Sequence, residues 1–532
     1  MSNSSGGNPA ARKGMFLLAA LALAWFFAAF GPAEPGLRAL ILAAGGLTAA
    51  AAVFQPAWGL SAFLFFLMTA NNWPYFFQTR HSVFYIPIAA VLFGFLASGL
   101  ALRRAALFRK SGDGIPPAAL PVSVRNPVRF AAAVTAVSAG IACWRWANFF
   151  PFRGKEIFDW MTNSDGLPAA LARRSVVMTA AGYLLPIAFL AVAVKTMKNR
   201  AGVEATLRVS TAGLGLAVAF GYVQHFAALG LGNTDFWVVL NQINATFIDP
   251  NAFGGVLAIM LPVLGAAALD GFAGTRGAGK RRAWAAAAAA TFVLGLFAFL
   301  WIGARSAILA FGAGAAVFAL GVLMSRNKHR AEPGAAGDAG ALEPAAKRQR
   351  RHRWIAAAAV VLLAAGGMLF FRSRLFVRLK ERTVVAVKTG DVVLFSPERY
   401  FLWKHALAMI RDYPLSGVGV GAYIVELPNY YARDRAPVPA GLEGSQRRDS
   451  AENYFLQAGA EAGAVGLAAW IAVFAGLAWE IRRAVRDGVL RGPDRLLYLG
   501  AAGGLAAFFV NIIFHSFVQS FETPFCFWLA AA

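Results

Sequence analysis

Residues 284–324 read WAAAAAATFVLGLFAFLWIGARSAILAFGAGAAVFALGVLM, and Arg305 is the single charged residue among them. The two apolar runs in this stretch, 284–302 and 306–324, are each long enough to cross a hydrocarbon core of about 30 Å as an α-helix. The short join Gly303-Ala304-Arg305-Ser306 forces the second run back beside the first. A soluble helical hairpin would need a charged face on each helix, and neither run has one. The stretch therefore predicts a transmembrane hairpin, and it sets the reading of everything on either side.

Working outward, further spans are expected at 14–30, 37–54, 56–70, 82–101, 128–147, 175–195, 209–227, 251–269, 354–371, 453–479, 496–514 and 517–532, of which 56–70 and 517–532 are short. The first follows Arg12 and Lys13 like a signal peptide but runs straight into more spans, so it is read as retained. The chain is 58% hydrophobic and 14% charged. These features predict an all-α polytopic membrane protein of about 12–14 transmembrane helices. N-terminal helices would occupy 1–240, a central region 241–480, and C-terminal helices 481–532.

The net charge of +24 would suggest a polyanion partner in a soluble protein. Here the basic residues cluster between spans: Arg103, Arg104, Arg109 and Lys110; Lys195, Lys198 and Arg200; Arg276 and Lys280 to Arg282; Lys347 to Arg353; and Arg482, Arg483 and Arg486. An even number of spans separates each neighbouring pair, as the positive-inside rule requires if every cluster is cytoplasmic. The charge is thus read as topology, with phosphate binding as a second use for a few arginines, and no nucleic-acid module is visible. Cys143 and Cys526 lie in or beside apolar segments, and the histidines are scattered without ligand spacing, so no metal or other cofactor is expected.

Two connections differ from simple turns. Ser325 to Arg353 is rich in Ala, Gly and Pro and reads as a cytoplasmic linker. The loop 372–452 falls outside, with basic residues Arg372 to Arg382 beside the membrane. Ser396-Pro397-Glu398 starts an amphipathic helix there, with Tyr400, Trp403, Leu407 and Ile410 expected on one face and Pro414 as its stop. Gly417-Val418-Gly419-Val420-Gly421 then offers a tight backbone turn, and a loop of this size suits a functional lid.

Polar groups at outer span ends are the candidates for chemistry, because lipid disfavours them. In Asp249-Pro250-Asn251-Ala252-Phe253-Gly254, Asp249 caps a helix that Pro250 starts; a capped helix accounts for these two but less well for Asn251. Arg305 in its hairpin has a guanidinium suited to a diphosphate, or else it snorkels to the interface. Arg399 sits in a first turn, where its charge opposes the helix dipole and an anion would help; Lys404 and His405 follow on the same helix. Glu452 stands at the mouth of a span in which Asn453, Gln457 and Glu461 form a polar stripe, Glu461 being read as helix–helix glue. His515, at another outer end, either lines the site or is structural.

Four pieces of sequence together resemble the O-antigen ligase and polymerase superfamily, bacterial membrane enzymes that join lipid-linked glycans. They are Asp249-Pro250-Asn251-x-Phe253-Gly254, Arg305-Ser306, the Trp403 helix leading to Asp412-Tyr413-Pro414-Leu415-x-Gly417-Val418-Gly419, and Asn453-Tyr454-x-Leu456-Gln457-x-x-x-Glu461-x-Gly463-x-x-Gly466. They stand in family order between about 240 and 480. The resemblance implies a GT-C-like membrane glycosyltransferase. It would move an undecaprenyl-diphosphate-linked glycan to a lipid, protein or glycan acceptor at the periplasmic face of the bacterial inner membrane, with inversion and without metal. Carried across, Glu452, Arg305 and Arg399 would be catalytic, and Asp249, Asn251, Asn453, Gln457 and His515 would bind substrate. Two positions depart from the family: Glu452 stands where a histidine is common, and Gln242 or Asn244 where an arginine often precedes the Asp249 motif. A polytopic transporter or lipid-linked glycan flippase is the alternative, and a scaffold in polysaccharide assembly a third. A flippase would carry charges deep in a cavity and often shows repeats, and none is visible here.

Overall fold

A computed structural model describes residues 56–69, 120–149, 168–228, 234–247, 249–273, 278–329, 384, 388, 397–434, 450–489, 494–517 and 522–532. The expected spans 14–30, 37–54, 82–101 and 354–371, the basic segment 372–382 and Asp449 lie outside these residues, as does most of the linker. The described elements are α1 (Pro56–Thr69), α2 (Val122–Phe149), α3 (Pro168–Thr196), α4 (Arg200–Phe226), α5 (Thr234–Val239), α6 (Pro250–Ala273), α7 (Ala278–Ile302), α8 (Arg305–His329), α9 (Pro397–Asp412), α10 (Tyr423–Asp434), α11 (Tyr454–Arg486), α12 (Arg495–Asn511) and α13 (Glu522–Ala531). Among the described residues there is no strand, and seven helices are long and apolar enough to cross a membrane. The protein is an all-α polytopic membrane protein.

The centre of the bundle is α6, of whose most apolar window 89% is buried, against 22% for α8. It packs against α7, α8, α12 and α13, while α2, α3 and α11 form a second group joined to it through α13. Close approach at the centre depends on small residues: a Cβ on Gly254 would lie 2.8 Å from that of Ala307. Without a hydrophobic force between helices in lipid, such contacts supply the packing.

Both ends of the bundle are defined by polar chemistry. At one end Arg200 pairs with Glu204 (3.1 Å), Asp494 (2.5 Å) and Asp270, and Arg281 pairs with Asp270 at 2.9 Å. This clamp ties the starts of α4, α7 and α12 to the end of α6. It brings together two of the basic clusters that span parity assigns to one side, through Arg200 and Arg281. The opposite end carries the starts of α6, α8, α11 and α13 and the loop helices α9 and α10.

Helix boundaries differ from expectation where caps decide them. Helix α4 begins at Arg200 rather than 209, because the Asn199 side chain accepts from the Gly202 amide at 2.9 Å. Helix α11 continues to Arg486, so the last basic cluster is helical. The amphipathic helix appears where Pro397 predicts it, but its buried side is not the expected one. Tyr400 and Leu407 are exposed, while Phe401, Leu402, His405, Ala406 and Met409 are buried. The His405 ring makes this possible by bonding its own helix, Nδ1 to the Phe401 carbonyl at 2.8 Å, which leaves the Tyr400 face to the surroundings.

The glycine run is not an exposed turn. Helix α11 breaks at Gly463 (φ 64°, ψ −164°), and the segment 414–421 enters the break. Val418 N–H donates to the Ala460 carbonyl (2.8 Å), Gly419 N–H to that of Glu461 (2.8 Å), and Ala464 N–H to that of Pro414 (2.8 Å). The carbonyl that would close the helix at Ala464 is thus satisfied by the loop, and the orphaned Ala464 amide by Pro414. Irregular backbone at this depth is tolerated only when its polar groups are paired within protein. Val420 N–H to Ser138 Oγ (3.1 Å) and Ser175 Oγ to the Gly421 carbonyl (2.8 Å) pin the insert to α2 and α3.

Candidate active site

The site grows from the turn that precedes α11. Asn453 caps the helix, its side-chain oxygen accepting from Leu456 N–H at 2.9 Å, and its Nδ2 donates to the Ile513 carbonyl at 2.8 Å. Gln457, one turn on, reaches back: its Oε1 accepts from Ala451 N–H (2.6 Å) and its Nε2 donates to Glu461 (2.7 Å). The polar stripe therefore holds the turn from inside the bundle. Both amides are engaged by the protein itself. Between them Glu452 is held at φ 49°, a left-handed conformation that non-glycine residues rarely adopt and that costs about 1–2 kcal/mol.

That conformation aims the Glu452 carboxylate at a cluster drawn from three other elements. His515 Nδ1 lies 2.7 Å from Glu452 Oε2, and Arg399 Nη2 of α9 lies 3.8 Å from the same oxygen. Arg399 also rides over the Phe514 ring, 5.8 Å from its centre. Asp249, at the start of α6, is the fourth member. Burial raises the Glu452 pKa, but the charge and hydrogen bond of His515 and the charge of Arg399 outweigh it, and the net shift is downward. Asp249 moves the other way: burial dominates, opposed by the Ala252 and Asn251 amides and His515 and reinforced by Glu452. The arrangement favours the charged form of Glu452 at the mouth and disfavours that of Asp249, with a guanidinium loosely attached.

Asp249 is also a working cap, its Oδ1 accepting from Asn251 N–H (2.7 Å) and Ala252 N–H (2.9 Å). Asn251 is half-buried in the first turn. Arg305 opens α8 at the same end, in a hairpin whose Ala304 and Ala307 pack on Gly254 of α6. Asn244 is fully buried and exchanges bonds with Gln224, Nε2 to Oδ1 at 2.8 Å, while Asn244 and Ala245 N–H donate to Gln224 Oε1. Asn244, one of the two positions at which the departure from the family can fall, thus serves to fasten the 241–247 turn to α4.

Three residues near the site escaped the sequence reading. Asn511, Glu522 and Thr523 are buried at the outer ends of α12 and α13, and each has side-chain atoms without a hydrogen-bond partner among the described residues. Asn511 and Thr523 face Gly255 of α6, where a Cβ would lie 3.0 and 3.1 Å from them. The signal was there in the sequence, since a carboxylate within an apolar run is costly in lipid and marks function by default. Among the described residues no three His, Cys, Asp or Glu side chains converge as metal ligands.

Residues 290–471 match the family model described as O-antigen ligase. The matched segment runs from within α7 to within α11, so it contains Arg305, Arg399, Glu452 and the whole glycine insert, and it excludes Asp249 and His515. No curated protein matches the chain. This match, over a loop and helix whose geometry depends on the matched glycines, supports membership of the O-antigen ligase superfamily, and with the apolar helices it indicates a multi-pass membrane protein of the glycan ligase and polymerase class.

Proposed function

We propose that the protein transfers glycan from an undecaprenyl-diphosphate carrier to an acceptor hydroxyl at the periplasmic face of the bacterial inner membrane. The observation that carries this reading is the convergence of Arg399 and Glu452 at the bundle end opposite the Arg200–Asp270 clamp. Basic clusters meet at the clamp end, and the positive-inside rule supports reading that end as cytoplasmic.

In the proposed reaction the acceptor oxygen attacks the anomeric carbon of the donor sugar. Its proton passes to the Glu452 carboxylate as the bond between that carbon and the phosphate oxygen breaks. The diphosphate leaves with the electron pair, and single displacement inverts the anomeric centre. Arg399 is suited to the leaving group because 3.8 Å from Glu452 is beyond a hydrogen bond, so the guanidinium can turn to a diphosphate at little cost. Arg305 adds a second cation on the α7–α8 hairpin. Together they would stabilise the charge that develops on departure without metal. Asp249 and Asn251 would meet the sugar, while Asn453 and Gln457 hold the turn.

The test is profiling of surface glycan and lipid-linked intermediates in a deletion strain complemented with wild type, Arg305→Ala, Arg399→Ala or Glu452→Gln. Accumulated carrier-linked glycan in the deletion, with transfer restored by wild type alone, is the expected result. A deletion that accumulates no carrier-linked glycan and shows no surface change removes the reading in favour of transport or scaffolding.

A further inference from the structure

We propose that His515 is a positioning residue for the transfer: from behind the site it holds the Glu452 carboxylate ionised and aimed at the acceptor hydroxyl. The inference rests on the functional reading above. It assigns a residue that lies outside the matched segment and that the sequence alone leaves as either a binder or a structural histidine.

The layering of the pair gives the order. The His515 side chain is 8% exposed and that of Glu452 28%, so an acceptor arriving at the mouth meets the carboxylate and not the imidazole. Among the described residues the ring has one polar contact, Nδ1 to Glu452 Oε2 at 2.7 Å, and its buried Nε2 has no hydrogen-bond partner. Its plane is fixed by Phe517, 5.2 Å away. The segments carrying the two residues are sewn together by Tyr454 N–H to the Ile512 carbonyl (2.9 Å) and Asn453 Nδ2 to the Ile513 carbonyl (2.8 Å). A strained glutamate is thus clasped on its inner side by a histidine that, among the described residues, touches nothing else polar. This is how one group orients another, rather than how a group binds a ligand.

The charge balance defines what loss of His515 does. Among the described residues, Glu452 is faced by His515, by Arg399 of α9 and by Asp249 of α6, with Glu522 of α13 beside Asp249. Burial disfavours the carboxylate's charge; His515 and Arg399 favour it. Without His515 the balance tips, Glu452 protonates at higher pH, and a protonated carboxyl cannot take the acceptor's proton. The acid limb of the transfer rate must therefore move to higher pH.

The experiment uses full-length protein in lipid nanodiscs, mixed with membrane lipids extracted from the deletion strain, which carry the accumulated donor and the native acceptor. His515→Asn keeps a donor near the Nδ1 position without the ring's charge, and His515→Phe keeps the ring without the bond. Expected is a loss of activity in His515→Phe roughly tenfold greater at about pH 5 than at about pH 8 relative to wild type, with His515→Asn intermediate. Carboxyl-carbon NMR of the same samples, with the Glu452 signal assigned by Glu452→Gln, should show its titration moving to higher pH in both variants, whatever their activity. A uniform loss at every pH with an unmoved Glu452 titration overturns the proposal and leaves the site intact. Full transfer by Glu452→Gln removes Glu452 as the base and overturns the proposal with it, whereas no transfer by the wild type overturns the functional reading instead.

Discussion

Replacing Gly463 by alanine perturbs one methyl group at the point where α11 and the loop insert satisfy each other. Gly463 lies at φ 64° and ψ −164°, a region open in practice only to glycine, so an alanine there costs about 1–3 kcal/mol before any contact is counted. Its Cβ would also overlap the carbonyl carbon and oxygen of Leu415, which are backbone and cannot swing aside. Relief requires the insert to withdraw, which breaks the bonds from Val418, Gly419 and Ala464 N–H, at roughly 1 kcal/mol each. The sum is about 4–6 kcal/mol, a large part of a typical folding free energy of about 5–15 kcal/mol. Gly417→Ala attacks the same junction from the loop side, since its Cβ would strike the Glu461 carbonyl carbon and the Ala462 nitrogen. Gly312→Ala is the control: it sits in α8 with nothing within 4 Å of the new methyl, and exchange of a helical glycine for alanine should be neutral or favourable by up to about 1 kcal/mol. The assay is the fraction of monodisperse protein that survives a heating series in detergent, a measure of kinetic stability. Wild-type heat resistance in Gly463→Ala would refute the account of the break as a mutually satisfied junction.

Four other changes follow from the geometry. Asp270→Ala strips Arg200 and Arg281 of a shared, largely buried partner and should lower heat resistance by about 1–3 kcal/mol, read by the same heating series. Asp249→Ala removes the α6 cap at about 1 kcal/mol, whereas Asp249→Asn keeps it. The raised pKa of Asp249 makes its stabilising contribution full at low pH and lost as pH rises through that value. Stability of the wild type relative to Asp249→Asn should therefore fall with rising pH, measured as heat resistance across a pH series. Arg399→Ala should cut transfer by about 10²-fold in the nanodisc assay, with Arg399→Lys recovering part of it because a point charge replaces the planar fork.

The topology was legible because it rests on composition and parity, which need no knowledge of contacts. Arg200 and Arg281 come from separate basic clusters, and the clamp that unites them through Asp270 agrees with parity. Glu452 was legible as a carboxylate at a span mouth, and Asp249 as a cap, since both signals are local. The partnership of Glu452 with His515 was not, because it is made by a turn after α12 that no periodicity describes. The glycine run was legible as a tight turn, since positive φ at Gly417, Gly419 and Gly421 shows as a need for glycine, but what their backbone pairs with was not. The face of α9 was misjudged because aromatic residues line both sides of it, and pattern alone does not show which side meets α11.

The break in α11 and the strained turn at Glu452 are not independent, and Gln457 is the link. It is 1% exposed, accepts from Ala451 N–H and donates to Glu461, whose carbonyl in turn holds Gly419. Gln457→Leu preserves volume but orphans the Ala451 amide and one Glu461 oxygen, a cost of about 1–3 kcal/mol for each buried group. The greater effect should be on chemistry. Once Ala451 is released, Glu452 is no longer compelled to keep φ 49° and relaxes by about 1–2 kcal/mol, taking its carboxylate away from His515. Glu461→Gln is the matched control, because a glutamine there still offers an oxygen to Gln457 Nε2 and leaves the upper half of the chain of bonds in place. Transfer in nanodiscs should collapse in Gln457→Leu while much of the protein stays folded, and it should persist in Glu461→Gln. Equal loss in both variants would mean that the stripe serves packing alone, and full activity in Gln457→Leu would mean that the turn holds its shape without it.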